Sequence, residues 1–384
     1  MPDKLRVALL INRIAPARIA IYSGLAREFE LCIVQGARES NRTSWRGLDQ
    51  EIPDAIVKEA WGWQLRLPRR AEGQIIDHQH IHIRPGIFWE LLRFRPEVII
   101  ANEMGFRTVT ALLYGMLFRV PVWVWWGGTA HTERNIGMAR RALRFLITRL
   151  VSHWISYGKT STKYLVSLKV PRSHIVEVQN SVDERPFTAD PPAEFDLQPR
   201  PVVLCIGQLI ARKGVVHFLQ AAARLQKEGE SFSILLVGDG PDKAAVERQI
   251  VDLGLENVHL HKSRRPELVP AVYKSADIVV FPTMEDVWGL VVNEAILSDR
   301  PVLCSRYAGC AEELVLAQSI FNPENQDEFT EKLRIALRGK LAGPDPSRLA
   351  STIENLERLV SAIQSSVSGE RSGFSGEGSC RSNS

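Results

Sequence analysis

The side chains best suited to chemistry in this sequence are a pair of acids and a pair of cations. Asp286 and Glu294 stand eight positions apart in PTMEDVWGLVVNEA, residues 282–295, and Glu285 adjoins the first. Eight residues make about two helical turns, so both carboxylates can face one cleft as hydrogen-bond acceptors. A plainer reading stands beside that one, in which Asp286 caps a helix and Glu294 is a solvated helix residue. Arg212 and Lys213 lie in QLIARKG, residues 208–214, just before a helix expected from about Val216. Two cations beside helix-end N–H groups suit a diphosphate. A third candidate is His131 in GGTAHTERN, residues 127–135, where two glycines let a ligand approach the backbone and the imidazole follows as the titratable group. A crossover loop with a capping Thr is the alternative there.

These residues need strands to carry them. Ala276–Phe281 (ADIVVF) reads as a buried parallel strand that stops at Pro282, and Trp288 and Gly289 open a helix over Leu290–Ile296. In open α/β sheets ligands sit outside the carboxyl ends of strands, so strand, acidic loop and helix start describe a pocket. Pro201–Gly207 is the strand before the cation pair. Ser233–Val237 is another, closed by GDGP, where Gly238 allows close backbone approach to a nucleotide or simply makes a tight turn. Val258–His261 reads as an edge strand with Arg264 and Arg265 beyond it.

The first half repeats this alternation. Strands are expected at Arg6–Ile11, Leu31–Val34, Asp77–Ile83, Pro96–Ala101 and Val120–Trp126, with helices at Pro85–Arg93, Thr108–Arg119 and Met138–Trp154. In the last helix Leu143, Leu146, Ile147, Leu150 and Trp154 form an apolar stripe expected to pack on its sheet. The period of Asp77–Ile83 puts His78, His80 and His82 on one face, better suited to lining a cleft between domains than to a metal, since no Cys or carboxylate completes a site. Asn12 to Pro16 contain no glycine, which excludes the G-x-G-x-x-G dinucleotide turn.

At 384 residues and 45% hydrophobic content the chain can bury two cores. No apolar run approaches the roughly 20 residues of a spanning helix. The first residues make no convincing signal peptide, and five cysteines lack metal or disulfide spacing, so a cytoplasmic location is expected. Residues 1–196 hold 27 Lys and Arg against 20 Asp and Glu, whereas residues 197–384 hold 21 against 24. Nine basic residues and no acid lie between Glu133 and Glu177, which suits an anionic surface along residues 134–172, such as a membrane. Domains are expected at 1–196 and 197–340, closing helices at 341–364, and a disordered Ser/Gly-rich tail at 365–384.

The stretch around Asp286 and Glu294 resembles the paired-acid signature of the family 4 glycosyltransferases, group 1 type, where two glutamates are separated by seven intervening residues. Asp286 stands at the first of these and Glu294 at the second. The resemblance implies the GT-B fold: α/β, two Rossmann-like parallel-sheet domains facing a central cleft. It further implies an enzyme that moves a sugar from a UDP- or GDP-linked donor to a glycan, lipid-linked or small-molecule acceptor, with retention and without a tightly bound metal or cofactor. Arg212 and Lys213 would then bind the donor diphosphate, and Glu294 the ribose. Asp286 and His131 would face the sugar, while Gly207, Gly238, Arg264, Glu285 and Gly289 line the nucleotide and sugar. Asn180 and Asp183 match the family's turn at the end of the first domain. The usual Gly-Gly pair of the first loop is replaced here by residues including Pro16 and Arg18. A nucleotide-sugar epimerase or hydrolase, or a non-catalytic nucleotide-sugar-binding protein, remains as an alternative; no nucleic-acid partner is expected.

Overall fold

Two parallel sheets organise the chain in a computed structural model that describes residues 4–36, 47–71 and 74–368. The first sheet is built from β1 (Arg6–Ile11), β2 (Glu30–Gly36), β3 (Ile56–Ala60), β6 (Val98–Asn102), β7 (Val122–Trp126), β8 (His153–Ser156) and β9 (Ile175–Glu177). Between β3 and β6 the chain makes an antiparallel hairpin of β4 (Trp63–Ala71) and β5 (Gln74–Ile83). The sheet order is β3-β2-β1-β6-β7-β8-β9. The second sheet runs β12-β11-β10-β13-β14-β15, from β10 (Val202–Ile206), β11 (Ser233–Val237), β12 (Val258–His261), β13 (Ile278–Phe281), β14 (Val302–Ser305) and β15 (Ile320–Phe321).

The central strands are aliphatic because both of their faces are covered. Val98 to Ala101 and Val202 to Leu204 are fully buried, with alternate residues feeding separate cores on the two sides of each sheet. In each sheet the chain winds outward from a middle strand, then returns to wind the other way. The reversal falls between β1 and β6 in the first sheet and between β10 and β13 in the second. A crevice opens at such a reversal because the two flanking loops leave in opposite directions.

Several expectations are corrected by the packing. Strands β3 and β4 escaped the sequence reading because IVKEA and WQLRLPRRA carry charge within a weak alternation. The expected Met138–Trp154 helix ends at Leu150, and Trp154 belongs to β8. Its buried side is Arg144, Ile147 and Thr148, while Leu146 and Leu150 face outward. Arg144 takes the inward place because its guanidinium lies over the Trp126 ring at 5.0 Å and pairs with Glu133 at 2.5 Å. The final helix, Thr352–Ser368, continues four residues into the stretch expected to be tail. It returns to the first domain, where Leu359 and Ile363 are fully buried. The side chains of His78, His80 and His82, the Arg-bearing stretch 37–46 and residues 369–384 lie outside the described residues. Among the described residues no helix is long and apolar enough to cross a membrane.

Candidate active site

The reversal between β10 and β13 brings the acids and cations together. β10 ends at Ile206, and Gly207 follows it with a φ of 146°, which is open to glycine. Gly238, after β11, packs so closely that a Cβ there would meet the Gly207 carbonyl at 1.9 Å. The chain then turns through Ala211–Lys213 to Gly214, φ 69°, which caps the helix Val215–Lys227. A Cβ on Gly214 would meet the Pro282 carbonyl at 2.0 Å, so the loops after β10 and β13 run backbone against backbone. Met284 N–H donates to the Arg212 carbonyl at 2.8 Å, and the Thr283 hydroxyl donates to the same oxygen at 3.1 Å.

Across this seam Lys213 Nζ lies 2.5 Å from Asp286 Oδ2. Burial alone would raise the Asp286 carboxyl. Lys213, Arg212 and the Trp288 N–H, which donates to Oδ1 at 3.1 Å, outweigh it and hold the group below the usual carboxylate range. Asp286 is thus an ionised acceptor held by both oxygens, and the helix after it is capped by Gly289, not by Asp286. Arg212 donates to the Glu285 carbonyl at 3.3 Å. Gly289, φ 109°, is required where a Cβ would strike the Phe281 ring at 2.6 Å.

Glu294 sits on the helix Leu290–Leu297, and its Oε2 accepts from the Tyr273 hydroxyl at 2.7 Å. Burial pushes its carboxyl up to about 7, against the opposing effect of that hydrogen bond. The two acids therefore have opposite environments: Asp286 is ionised beside cations, and Glu294 is poised near neutrality beside a phenol. Tyr273 is the residue the sequence reading missed here, and a lone Tyr in VPAVYKSA gave no signal of it.

His131 reaches the same place from the other domain. Its Nε2 lies 2.9 Å from the Met284 carbonyl, and its ring stacks on Tyr307 with centroids 4.0 Å apart. A carbonyl only accepts, so Nε2 carries the proton when the ring is neutral and Nδ1 is left as an acceptor. Burial lowers the His131 pKa, with the Met284 bond opposing it, and the ring is neutral at pH 7. Arg134 pairs with Glu285 at 3.0 Å, a second link across the cleft. Further along it, the Thr160 hydroxyl donates to the Gly309 carbonyl and Lys163 pairs with Glu312.

One predicted site residue stands elsewhere. Arg264 bonds Glu194 at 2.6 Å and lies over Phe195, which ties the edge of the second sheet to the interdomain linker. Asn180 holds the domain junction, its carbonyl accepting from the Asn293 side chain at 3.1 Å. The reversal in the first sheet holds residues that the sequence reading left unassigned. Arg107 donates to the Asn12 side chain, to the Asn102 carbonyl at 3.2 Å and to Glu103 at 3.1 Å. Their spacing hid them, because Asn12 and Arg107 are far apart in sequence and Arg107 stands just before the expected Thr108–Arg119 helix.

Residues 189–355 match the family described as Glycosyl transferases group 1. Alpha-D-kanosaminyltransferase of Streptomyces kanamyceticus is 31% identical over 110 residues, 28% of each chain. Sulfoquinovosyl transferase SQD2 of Arabidopsis thaliana is 25% identical over 281 residues, 67% of this chain and 53% of its own. The chain thus spans about a quarter to a half of the length of these relatives. Among solved structures, Anabaena Alr3699/HepE in complex with UDP-glucose superposes with a TM-score of 0.65 and 18% identity, covering 94% of this chain and 98% of that one. This likeness identifies the fold as GT-B.

Proposed function

Since residues 189–355 match the Glycosyl transferases group 1 family, we propose that the chain transfers a sugar from a UDP- or GDP-linked donor to an acceptor held by the first domain, with retention of configuration. The observation that carries the reading is the Lys213–Asp286 pair at the second reversal, beside the N-terminus of the helix Val215–Lys227. A diphosphate placed there meets the Lys213 ammonium, the Arg212 guanidinium and helix-end N–H groups, which stabilise the charge that grows as the sugar leaves. Gly207 lets the nucleotide approach the end of β10. Glu294 accepts from ribose hydroxyls, while Asp286 and His131 Nδ1 accept from sugar hydroxyls, so neither acid serves as a covalent nucleophile in this reading.

The helix Met138–Leu150 extends the proposal to a peripheral membrane contact. Phe145, Leu146 and Leu150 are 60%, 53% and 47% exposed, beside exposed Arg141 and Arg149. Apolar side chains flanked by cations suit the interface of an anionic bilayer. Sedimentation with anionic vesicles is expected to fall as salt rises, and equal pelleting with neutral vesicles would contradict it.

The reading is tested by incubating the protein with a panel of nucleotide sugars, with and without candidate acceptors, and following nucleoside diphosphate release. Release that depends on acceptor is expected. Release or epimerised sugar from donor alone would favour a hydrolase or epimerase, and binding without turnover would favour a non-catalytic protein.

A further inference from the structure

The first reversal carries cations that the donor chemistry leaves unused. Asn12 and Arg13 follow β1, Asn102 and Glu103 end β6, and by register Asn102 lies opposite Trp125 of β7. Arg107, 9% exposed, is clamped between the Asn12 side chain, the Asn102 carbonyl and Glu103, so its charge is fixed in place and partly neutralised. Arg18 differs. Its guanidinium lies 4.8 Å from the ring centroid of Trp125 and 4.8 Å from that of Tyr157. Among the described residues it makes no side-chain hydrogen bond or ion pair, and Arg13 likewise has a buried Nε without a partner. Aromatic stacking uses the faces of a guanidinium and leaves its in-plane N–H fork free, the geometry that grips a phosphate. Nearby, the buried Asn102 side-chain oxygen also lacks a partner.

We propose that this crevice binds a phosphate group of the acceptor, with the stacked Arg18 as its principal ligand and Arg13 beside it. The inference rests on the glycosyltransferase reading, which makes the first domain the acceptor side. Arg107 holds the two strand ends, and Arg18, stacked on its aromatic platform, meets the anion.

The test is calorimetric titration of glycerol 3-phosphate into the full chain and into Arg18→Gln and Arg18→Lys, with UDP and GDP titrated into each as a control. Saturable binding of glycerol 3-phosphate is expected, weakened about tenfold or more in Arg18→Gln and only partly recovered in Arg18→Lys, which keeps the charge without the fork. The control nucleotide binds all three proteins alike. Equal glycerol 3-phosphate affinity in wild type and Arg18→Gln, or none in wild type, overturns the proposal. Should wild type bind neither nucleotide yet take glycerol 3-phosphate through Arg18, the phosphate site stands and its assignment to an acceptor falls. A parallel arm with phosphatidic acid vesicles separates the sources. Arg18-dependent pelleting assigns the phosphate to a lipid, whereas Arg18-dependent binding of glycerol 3-phosphate alone assigns it to a soluble acceptor.

Discussion

The two reversal points share an architecture and differ in how they hold charge. At the second, between β10 and β13, Lys213 is already matched by Asp286, and glycines bring backbone against backbone. At the first, between β1 and β6, Arg107 is consumed by structural partners while Arg18 lies over two aromatic rings and, among the described residues, pairs with no acid. A ligand at the matched pair must add to or compete with an ion pair that is already made, since displacing either partner leaves the other buried and uncompensated. A cation over aromatic rings instead keeps its in-plane N–H fork available to an anion. The doubly wound topology fixes where both sites lie, and the local side chains decide what each takes.

The largest effect that would break the comparison concerns Lys213. Lys213→Ala removes the phosphate contact and strands Asp286 among buried neighbours, so turnover is expected to fall by about a hundredfold or more. Steady-state kinetics alongside thermal melting separate this loss from unfolding. Next is Asp286. With its carboxylate held by Lys213 and the Trp288 N–H, Asp286→Asn is expected to lower turnover about tenfold or more, since the neutral amide loses the charge-assisted bonds. Asp286→Glu moves the carboxylate one methylene outward and is expected to change the sugar preferred more than the overall rate. Turnover and sugar choice unaltered in both variants would reduce Asp286 to a loop anchor.

A third effect comes from Glu294, whose carboxyl lies near 7 in the folded chain against an ordinary 4.5. Ribose hydroxyls donate to the ionised form, so donor affinity is expected to rise with pH through about 7 and to level off above it. Below that pH it falls by at most about tenfold per unit. The stability linkage has the opposite sign. Between 4.5 and about 7 the folded chain keeps a proton that the unfolded chain has lost, so stability falls as pH rises across that window. Glu294→Gln is expected to flatten both profiles, and binding titrations with melts at stepped pH will check them. The smallest effect is expected from Arg134→Ala. Its pair with Glu285 is 42% exposed on the arginine side and worth roughly 1 kcal/mol or less, so rates should change no more than a few-fold.

How far the sequence exposed this molecule follows from the range of the forces involved. Aliphatic runs such as VIIA and IVVF announce buried parallel strands because burial on both faces leaves no room for polar residues. The cation loop and the acidic loop were each recognisable for the same local reason: each follows such a strand. Their meeting came only from the family resemblance, since Lys213 and Asp286 are joined by strand order, which local periodicity does not encode. The return of Thr352–Ser368 to the first domain was hidden in the same way. The Met138–Leu150 helix misled differently. Apolar periodicity assigned Leu146 and Leu150 inward, but Arg144 won that side through Glu133 and the Trp126 face. Tyr273 and Arg107 escaped because each acquires its role only from a distant partner.

The central claim is that the second reversal is a nucleoside diphosphate site held by Lys213. Calorimetric titration of UDP and GDP into the wild-type chain and Lys213→Ala tests it most directly. Saturable binding of at least one nucleotide is predicted, weakened at least about tenfold in a variant that still melts cooperatively. Equal affinity in the two proteins, or binding of neither nucleotide to the wild type, would contradict it.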